Sequence, residues 1–255
     1  MSEPGRGSPA PAPRAGVLRV ASYNVRDLKD DSAAAARVVR RICPDVLCLQ
    51  EVPRHPLSGH RVADFASACG MLFGGGHQGG GGTTVLTAIR VEAAFCAHRA
   101  LPVQRWQRSR GYAVARVALP GRLPVLVVSA HLGLDAAERV RHIRGMLDGI
   151  RAPGSFATGP MPTGPLFTGP LVIGADLNEG EEGLAWRALT VFAGGLRAVT
   201  GPSPTFSARR PRVRIDAVFA TADLQQVQAP PLDLPAADLA AASDHLPVWV
   251  DLALP

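Results

Sequence analysis

The chain has 255 residues, 47% of them hydrophobic and 19% charged, a balance too apolar for a disordered polymer and long enough to bury a core without disulfides or structural metals. No run of eighteen uncharged apolar residues occurs, which excludes a spanning helix, and the first sixteen residues lack the apolar stretch of a secretory signal. A net charge of +6 and a pI near 9.9 suit a polyanionic partner such as nucleic acid or a phosphate ester. The arginines are nevertheless scattered, and Lys29 is the only lysine, as a GC-rich coding bias alone would produce. Residues 1–16, rich in Pro, Gly and Ala, read as a disordered tail, and residues 17–255 as a single domain.

In chain order, 17–23 reads as a strand, 32–42 as a helix capped by Asp31 or Ser32, and 45–52 as a strand after Pro44. A short helix over 61–69 precedes the glycine tract 74–82, which is expected to be a flexible loop unless something binds it. That tract lacks the pattern of a P-loop. Strands follow at 83–89, 91–97, 112–119 and 123–130, the last a run of β-branched residues. The helix over 135–150 places Ala136, Val140, Ile143, Leu147 and Ile150 on one face, with arginines opposite. A repeated TGP unit from Thr158 to Pro170 reads as a stiff surface linker, and strands at 171–175, 213–220 and 246–252 complete the domain. Strand groups separated by helices, with no internal boundary, indicate an α/β fold of two packed sheets with helices outside. The four cysteines, Cys43, Cys48, Cys69 and Cys96, show no CxxC spacing, and with Cys43 and Cys48 in apolar surroundings they suit reduced, buried thiols in a cytoplasmic protein.

The chemistry lies where these strands end. Strand 17–23 runs into Asn24, 45–50 into Gln50 and Glu51, 124–130 into His131, and 171–175 into Asp176 and Asn178. Strand 213–218 carries Asp216 within RIDAVF, and Ser243, Asp244 and His245 stand before the last strand. Each has a plain alternative: Asn24 or Asp176 with Asn178 could form turns, Glu51 could be a solvated strand end, Asp244 a cap, and either histidine a satisfied loop residue. As a set, they offer acids, two histidines and two asparagines without an activated Ser or Cys. Glu51, Asn24 and an aspartate make a hard oxygen shell suited to Mg²⁺ or Mn²⁺ rather than zinc. The remaining aspartate and imidazoles suit hydrolysis of a phosphate ester.

The motifs SYNVRDL (22–28), LQEV (49–52), SAHLGL (129–134), IGADLNEG (173–180), SPTF (203–206), RIDAVF (214–219) and ASDHLPV (242–248) resemble, in order, the endonuclease/exonuclease/phosphatase superfamily. The resemblance runs from about Val17 to Leu252 and implies a four-layer α/β/β/α sandwich of two mixed sheets, like deoxyribonuclease I. It also implies metal-dependent hydrolysis of phosphate esters, foremost phosphodiesters, with DNA as one candidate substrate. Carried over, Glu51 is the principal ligand of Mg²⁺ (or Mn²⁺), with Asn24 and Asp244 beside it. Asp176 orients or deprotonates water, Asn178 holds a phosphate oxygen, His245 contacts the scissile phosphate with Asp216 orienting it, and His131 is the second active-site histidine.

This chain has Ala175 and Ala130 where the pattern has Gly and Thr, and it lacks the Trp-Cys-Asp-Arg signature of inositol polyphosphate 5-phosphatases. No apolar hairpin or signal sequence matches a secreted sphingomyelinase. The extra Glu or Tyr that some nuclease branches carry is unassigned, with Arg110 and Tyr112 as candidates. The stretch Arg105–Tyr112 either grips phosphate and stacks a base, or is a solvated connection with Trp106 tucked against the core. Other readings are a phosphomonoesterase, a phosphodiesterase for a small lipid or nucleotide ester, and a non-catalytic nucleic-acid-binding module; the default assembly is a monomer.

Overall fold

β-branched and alanine-rich runs build most of the strands, and the parity of their side chains decides which layer each one faces. A computed structural model describes residues 15–151, 169–192, 195–229 and 231–255. Most of the expected tail and of the TGP segment lies outside the described residues. The strands are β1 (Val17–Asn24), β2 (Val46–Gln50), β3 (Leu72–Phe73), β4 (Thr84–Thr87), β5 (Glu92–Leu101), β6 (Arg110–Ala118), β7 (Val125–His131), β8 (Leu171–Asp176), β9 (Arg197–Ala198), β10 (Asp216–Ala220), β11 (Gln225–Val227) and β12 (Val248–Ala253). The helices are α1 (Ser32–Ile42), α2 (Gly59–Cys69), α3 (Ala136–Arg151), α4 (Leu184–Arg187) and α5 (Ala236–Ala242).

Two six-stranded sheets result, ordered β11-β12-β1-β2-β4-β3 and β5-β6-β7-β8-β10-β9. Each is built around one parallel pair, β1 with β2 and β7 with β8, connected through α1 and α3 respectively; the neighbouring pairings are antiparallel. Between the sheets lies an apolar layer that includes Val20, Val46, Ala115, Val127, Val172, Val218 and Val250. On one outer face Tyr23, Leu47 and Leu49 pack against α1, α2 and α5, and on the other Val128, Ile173 and Phe219 pack under α3 and α4. The architecture is therefore the expected α/β/β/α sandwich.

Side chains pointing between the sheets become steadily more polar towards one end. Beyond the valines the sheets close tightly: a Cβ on Gly174 would stand 2.8 Å from Cys48 Cβ and 3.0 Å from Ser22 Cβ. One residue step further, the Gln50 amide nitrogen donates to Ser22 Oγ and Ser129 Oγ, each at 3.1 Å, bridging the sheets. Past that bridge come the strand ends that carry the candidate residues.

Several expectations need revision. Asp31 caps α1 by accepting from the Ala34 amide at 2.9 Å, and α3 buries Ile143, Leu147 and Ile150 as expected but departs from the predicted face in its first turns. Ala136 is exposed and Val140 half-buried, while Glu138, Arg139 and His142 are buried. Arg139 is drawn in by Glu179 at 2.8 Å and by the Leu134 carbonyl at 2.6 Å, so an ion pair overrides the apolar stripe. The glycine tract is held against β6 by close packing. A Cβ on Gly81, whose φ is +64°, would fall 2.3 Å from the Arg110 carbonyl carbon. The alanine-rich α5 escaped prediction because it lacks an amphipathic period. The cysteines form no disulfide among the described residues; Cys48 and Cys69 are buried, which pushes each thiol up to about 12, and Cys43 is only half-buried.

Candidate active site

Strand register assembles the site. Across the second sheet Gly111 pairs with His131, His131 with Asp176, and Asp176 with Asp216; in the first, Asn24 pairs with Gln50. Residues paired across a sheet point to the same side, so His131, Asp176 and Asp216 form one row facing the other sheet. Asn24 closes the gap from that sheet by donating its amide to Asp176 Oδ2 at 2.9 Å. The other Asp176 oxygen accepts from the Asn178 amide at 3.0 Å, where the chain turns with Asn178 at φ 52°.

His245 enters from the loop before β12. Its Nδ1 lies 2.9 Å from Asp216 Oδ2, and its Nε2 lies 3.8 Å from Asp176 Oδ2. Burial alone would lower its pKa, but the charge and hydrogen bond of Asp216, aided by Asp176 and Asp244, raise it to about 9. His131 behaves oppositely. It is buried beside Arg110, its Nδ1 has no hydrogen-bond partner among the described residues, and burial lowers it to about 3 against the pull of Asp176. Its Nε2 stands 3.1 Å from Asn178 Nδ2, 3.4 Å from Asp176 and 3.9 Å from Glu51. At neutral pH the site thus holds one imidazolium and one neutral imidazole.

Among the three expected metal ligands, the environments differ. Glu51 sits at φ 50° and accepts no side-chain hydrogen bond among the described residues; its carboxylate has only Arg108 at 3.6 Å and His131 at 3.9 Å. Asn24 Oδ1 accepts from the Arg26 amide at 3.0 Å. Asp244 is turned towards Arg26, with Nε 3.2 Å from Oδ2. Among the described residues, Asp176, Asp216 and His245 bring possible ligand atoms within 4.8 Å of one another. With His245 protonated against Asp216, the donors left for an ion are the oxygens of Asp176, Asn24 and the underused Glu51, with no sulfur among them, which fits a hard divalent ion.

Supporting residues emerge that sequence reading did not assign. Thr205 Oγ1 accepts from the Ile215 and Asp216 amides, each at 3.2 Å, fixing the start of β10. The Phe206 ring packs 5.0 Å from His245, and Ser243 Oγ donates to the Asn24 carbonyl at 2.7 Å. Arg26, Asp27 and Leu28 form a left-handed turn, with φ of 48°, 58° and 50°. The SPTF and SDH motifs marked these neighbourhoods, but nothing in the sequence marked the turn. Arg110 is buried, donates to the Leu132 carbonyl at 2.8 Å and feels both Glu51 and Asp176. Tyr112 lies instead in the apolar cluster under α3, which removes it as a site candidate. Trp106 is 96% exposed, not tucked against the core.

A profile described as the Endonuclease/Exonuclease/phosphatase family matches residues 21–245. Solved structures with a similar fold include an endonuclease/exonuclease/phosphatase from Beutenbergia cavernae, 22% identical with a TM-score of 0.68, the match covering 94% of this chain and 72% of that one. A Bacteroides vulgatus protein of the same description gives 15% identity and a TM-score of 0.71 over 94% and 99% of the two chains. ANGEL2, described as a 2′,3′-cyclic phosphatase, gives 14% identity and 0.64 over 93% and 96%. No curated protein sequence matches the chain.

Proposed function

Because the chain belongs to the endonuclease/exonuclease/phosphatase family, whose members hydrolyse phosphoesters, we propose that it is a divalent-metal-dependent phosphodiesterase. One observation carries this reading: a carboxylate without hydrogen bonds, Glu51, faces the His131–Asp176 pair across the mouth from an imidazolium oriented by Asp216. Glu51 and Asn24 would hold Mg²⁺ or Mn²⁺, and Asp244 joins them only by exchanging its pair with Arg26. The ion, when bound, supplies charge neutralisation to the phosphate and the leaving oxygen.

The remaining work belongs to side chains. Asp176, fixed by Asn24 and the Asn178 amide, orients water and takes its proton. His245 donates from Nε2 to the phosphate oxygens as charge builds on them, while Asp216 keeps the ring aligned and charged. Asn178 is assigned to a phosphate oxygen and the neutral His131 to the wall of the charge-bearing pocket. The domain carrying this activity is residues 17–255. No described helix is long and apolar enough to cross a membrane, and the reading takes the protein as a cytoplasmic monomer.

Hydrolysis of bis-p-nitrophenyl phosphate and p-nitrophenyl phosphate, with Mg²⁺, Mn²⁺ or EDTA and beside an Asp176→Asn control, tests the proposal. Metal-dependent cleavage of the diester, lost in the control, is the expected result. Preference for the monoester would replace the diesterase with a phosphatase. Silence on both, with no Mg²⁺ binding, would make the protein a non-catalytic module of the fold.

A further inference from the structure

We propose that Trp106 is a stacking platform for an unpaired nucleobase beside the scissile phosphate, and hence that the substrate is a single-stranded nucleic acid; this rests on the phosphodiesterase reading above. The last pair of the β5–β6 hairpin is Leu101 with Arg110, and Gly111 pairs with His131, so the connecting strap 102–109 stands at the rim of the site. It is pinned there. Arg54 donates to Ser109 Oγ at 2.8 Å and to its carbonyl at 3.0 Å, and Gln107 closes a turn onto the Gln104 carbonyl at 3.2 Å. Arg108 bridges Asp27 at 3.5 Å and Glu51 at 3.6 Å, tying the strap to the expected metal ligand.

On this strap Trp106 is 96% exposed, with φ at 71°, a left-handed conformation unfavourable for a non-glycine residue. Such an outlier beside an active site points to a use for the side chain it presents. The other two tryptophans are occupied: Trp186 meets Phe219 edge-on at 5.0 Å, and Trp249 packs against the cluster around α1 and α5. Arg105 stands 5.9 Å from the Trp106 ring, and Arg54 and Arg108 line the same rim. An exposed indole among guanidinium groups is the combination that grips a strand's backbone and stacks its bases. A membrane-inserting loop would present several apolar side chains, whereas Trp106 is the only large one exposed between residues 102 and 109.

Binding is measured in the Asp176→Asn background with Mg²⁺, using an oligothymidylate of about eight nucleotides and a base-free strand of equal length. Stacking is expected to quench intrinsic fluorescence. Trp106→Ala is expected to raise Kd for oligothymidylate at least about fivefold, the low end of one stacked base. Trp106→Tyr is expected to restore most of that loss, and the base-free strand to bind parent and Trp106→Ala alike. Equal Kd for parent and Trp106→Ala on oligothymidylate, or quenching by phosphatidylserine vesicles and not by the oligonucleotide, would overturn the proposal. Because binding needs no turnover, failure of the phosphodiesterase reading shows separately, as wild-type protein that leaves bis-p-nitrophenyl phosphate intact.

Discussion

Of the two histidines that flank Asp176, one is charged and the other neutral because of what lies behind each ring. Asp216 backs His245 with a direct hydrogen bond, whereas His131 Nδ1 is buried with no partner. His245→Ala should therefore lower kcat by roughly a hundredfold or more while leaving the fold intact, since the group acts on developing charge. A circular dichroism spectrum unchanged from wild type beside near-normal turnover would identify a bystander. Glu51→Ala removes a carboxylate at the mouth that makes no side-chain hydrogen bond among the described residues, so Mg²⁺ affinity measured by calorimetry and hydrolysis should fall together; unchanged affinity would sink the ligand assignment. These positions were readable in advance because each polar residue closes an apolar strand run. Arg26 was not, since its place depends on left-handed backbone, and for Trp106 the sequence left base stacking and burial against the core both open, because the rim forms only when distant segments meet.

At the level of elements, the glycine tract matters through what it allows β6 to do. Gly80 and Gly81 let the tract lie on the Arg110–Gly111 backbone, and Arg110 in turn reaches the Leu132 carbonyl next to His131. Gly81→Ala adds a Cβ 2.6 Å from the Gly111 amide at a φ of +64°. The cost should be about 2–4 kcal/mol, combining left-handed strain with overpacking. A urea midpoint equal to wild type would show that the tract moves aside freely.

The same packing gives acid sensitivity. His98, on β5 beside the tract, has its pKa lowered to about 4 from 6.5 by burial, with His77 adding to the effect. Between those values the unfolded chain takes up a proton that the folded one refuses, so stability present above pH 6.5 is lost as pH falls towards 4. His77 and His142 are lowered in the same sense. Urea unfolding from pH 7.5 down to 5 should show falling stability, and His98→Gln should flatten the decline without removing it. The tract's place in the fold was invisible from sequence, since a run of glycines states only what the backbone is free to do.

For the whole molecule, the end of the sandwich away from the site is closed by charge. Arg19, fully buried, binds both Asp251 oxygens at 2.7 and 2.9 Å and the Ile42 carbonyl at 2.8 Å, joining β1, β12 and the end of α1. Arg19→Met strands a buried carboxylate and should cost about 3–5 kcal/mol, whereas adding Asp251→Leu should recover most of that loss. Denaturant melts of the three proteins decide it; a single variant as stable as wild type would mean that water already reaches the pair. Sequence reading found the layers because strand parity and helix spacing are local. It missed this clasp because Arg19 and Asp251 meet only through the pairing of β1 with β12.

The bond from Asn24 to Asp176 spans the two sheets, so the candidate site doubles as a rivet between halves of the fold. Anything that settles on those strand ends fastens one sheet to the other and stabilises the native state by mass action. The melting temperature then reports occupancy, and a thermal-shift screen of ions and esters would rank ligands for this protein before any product is detected.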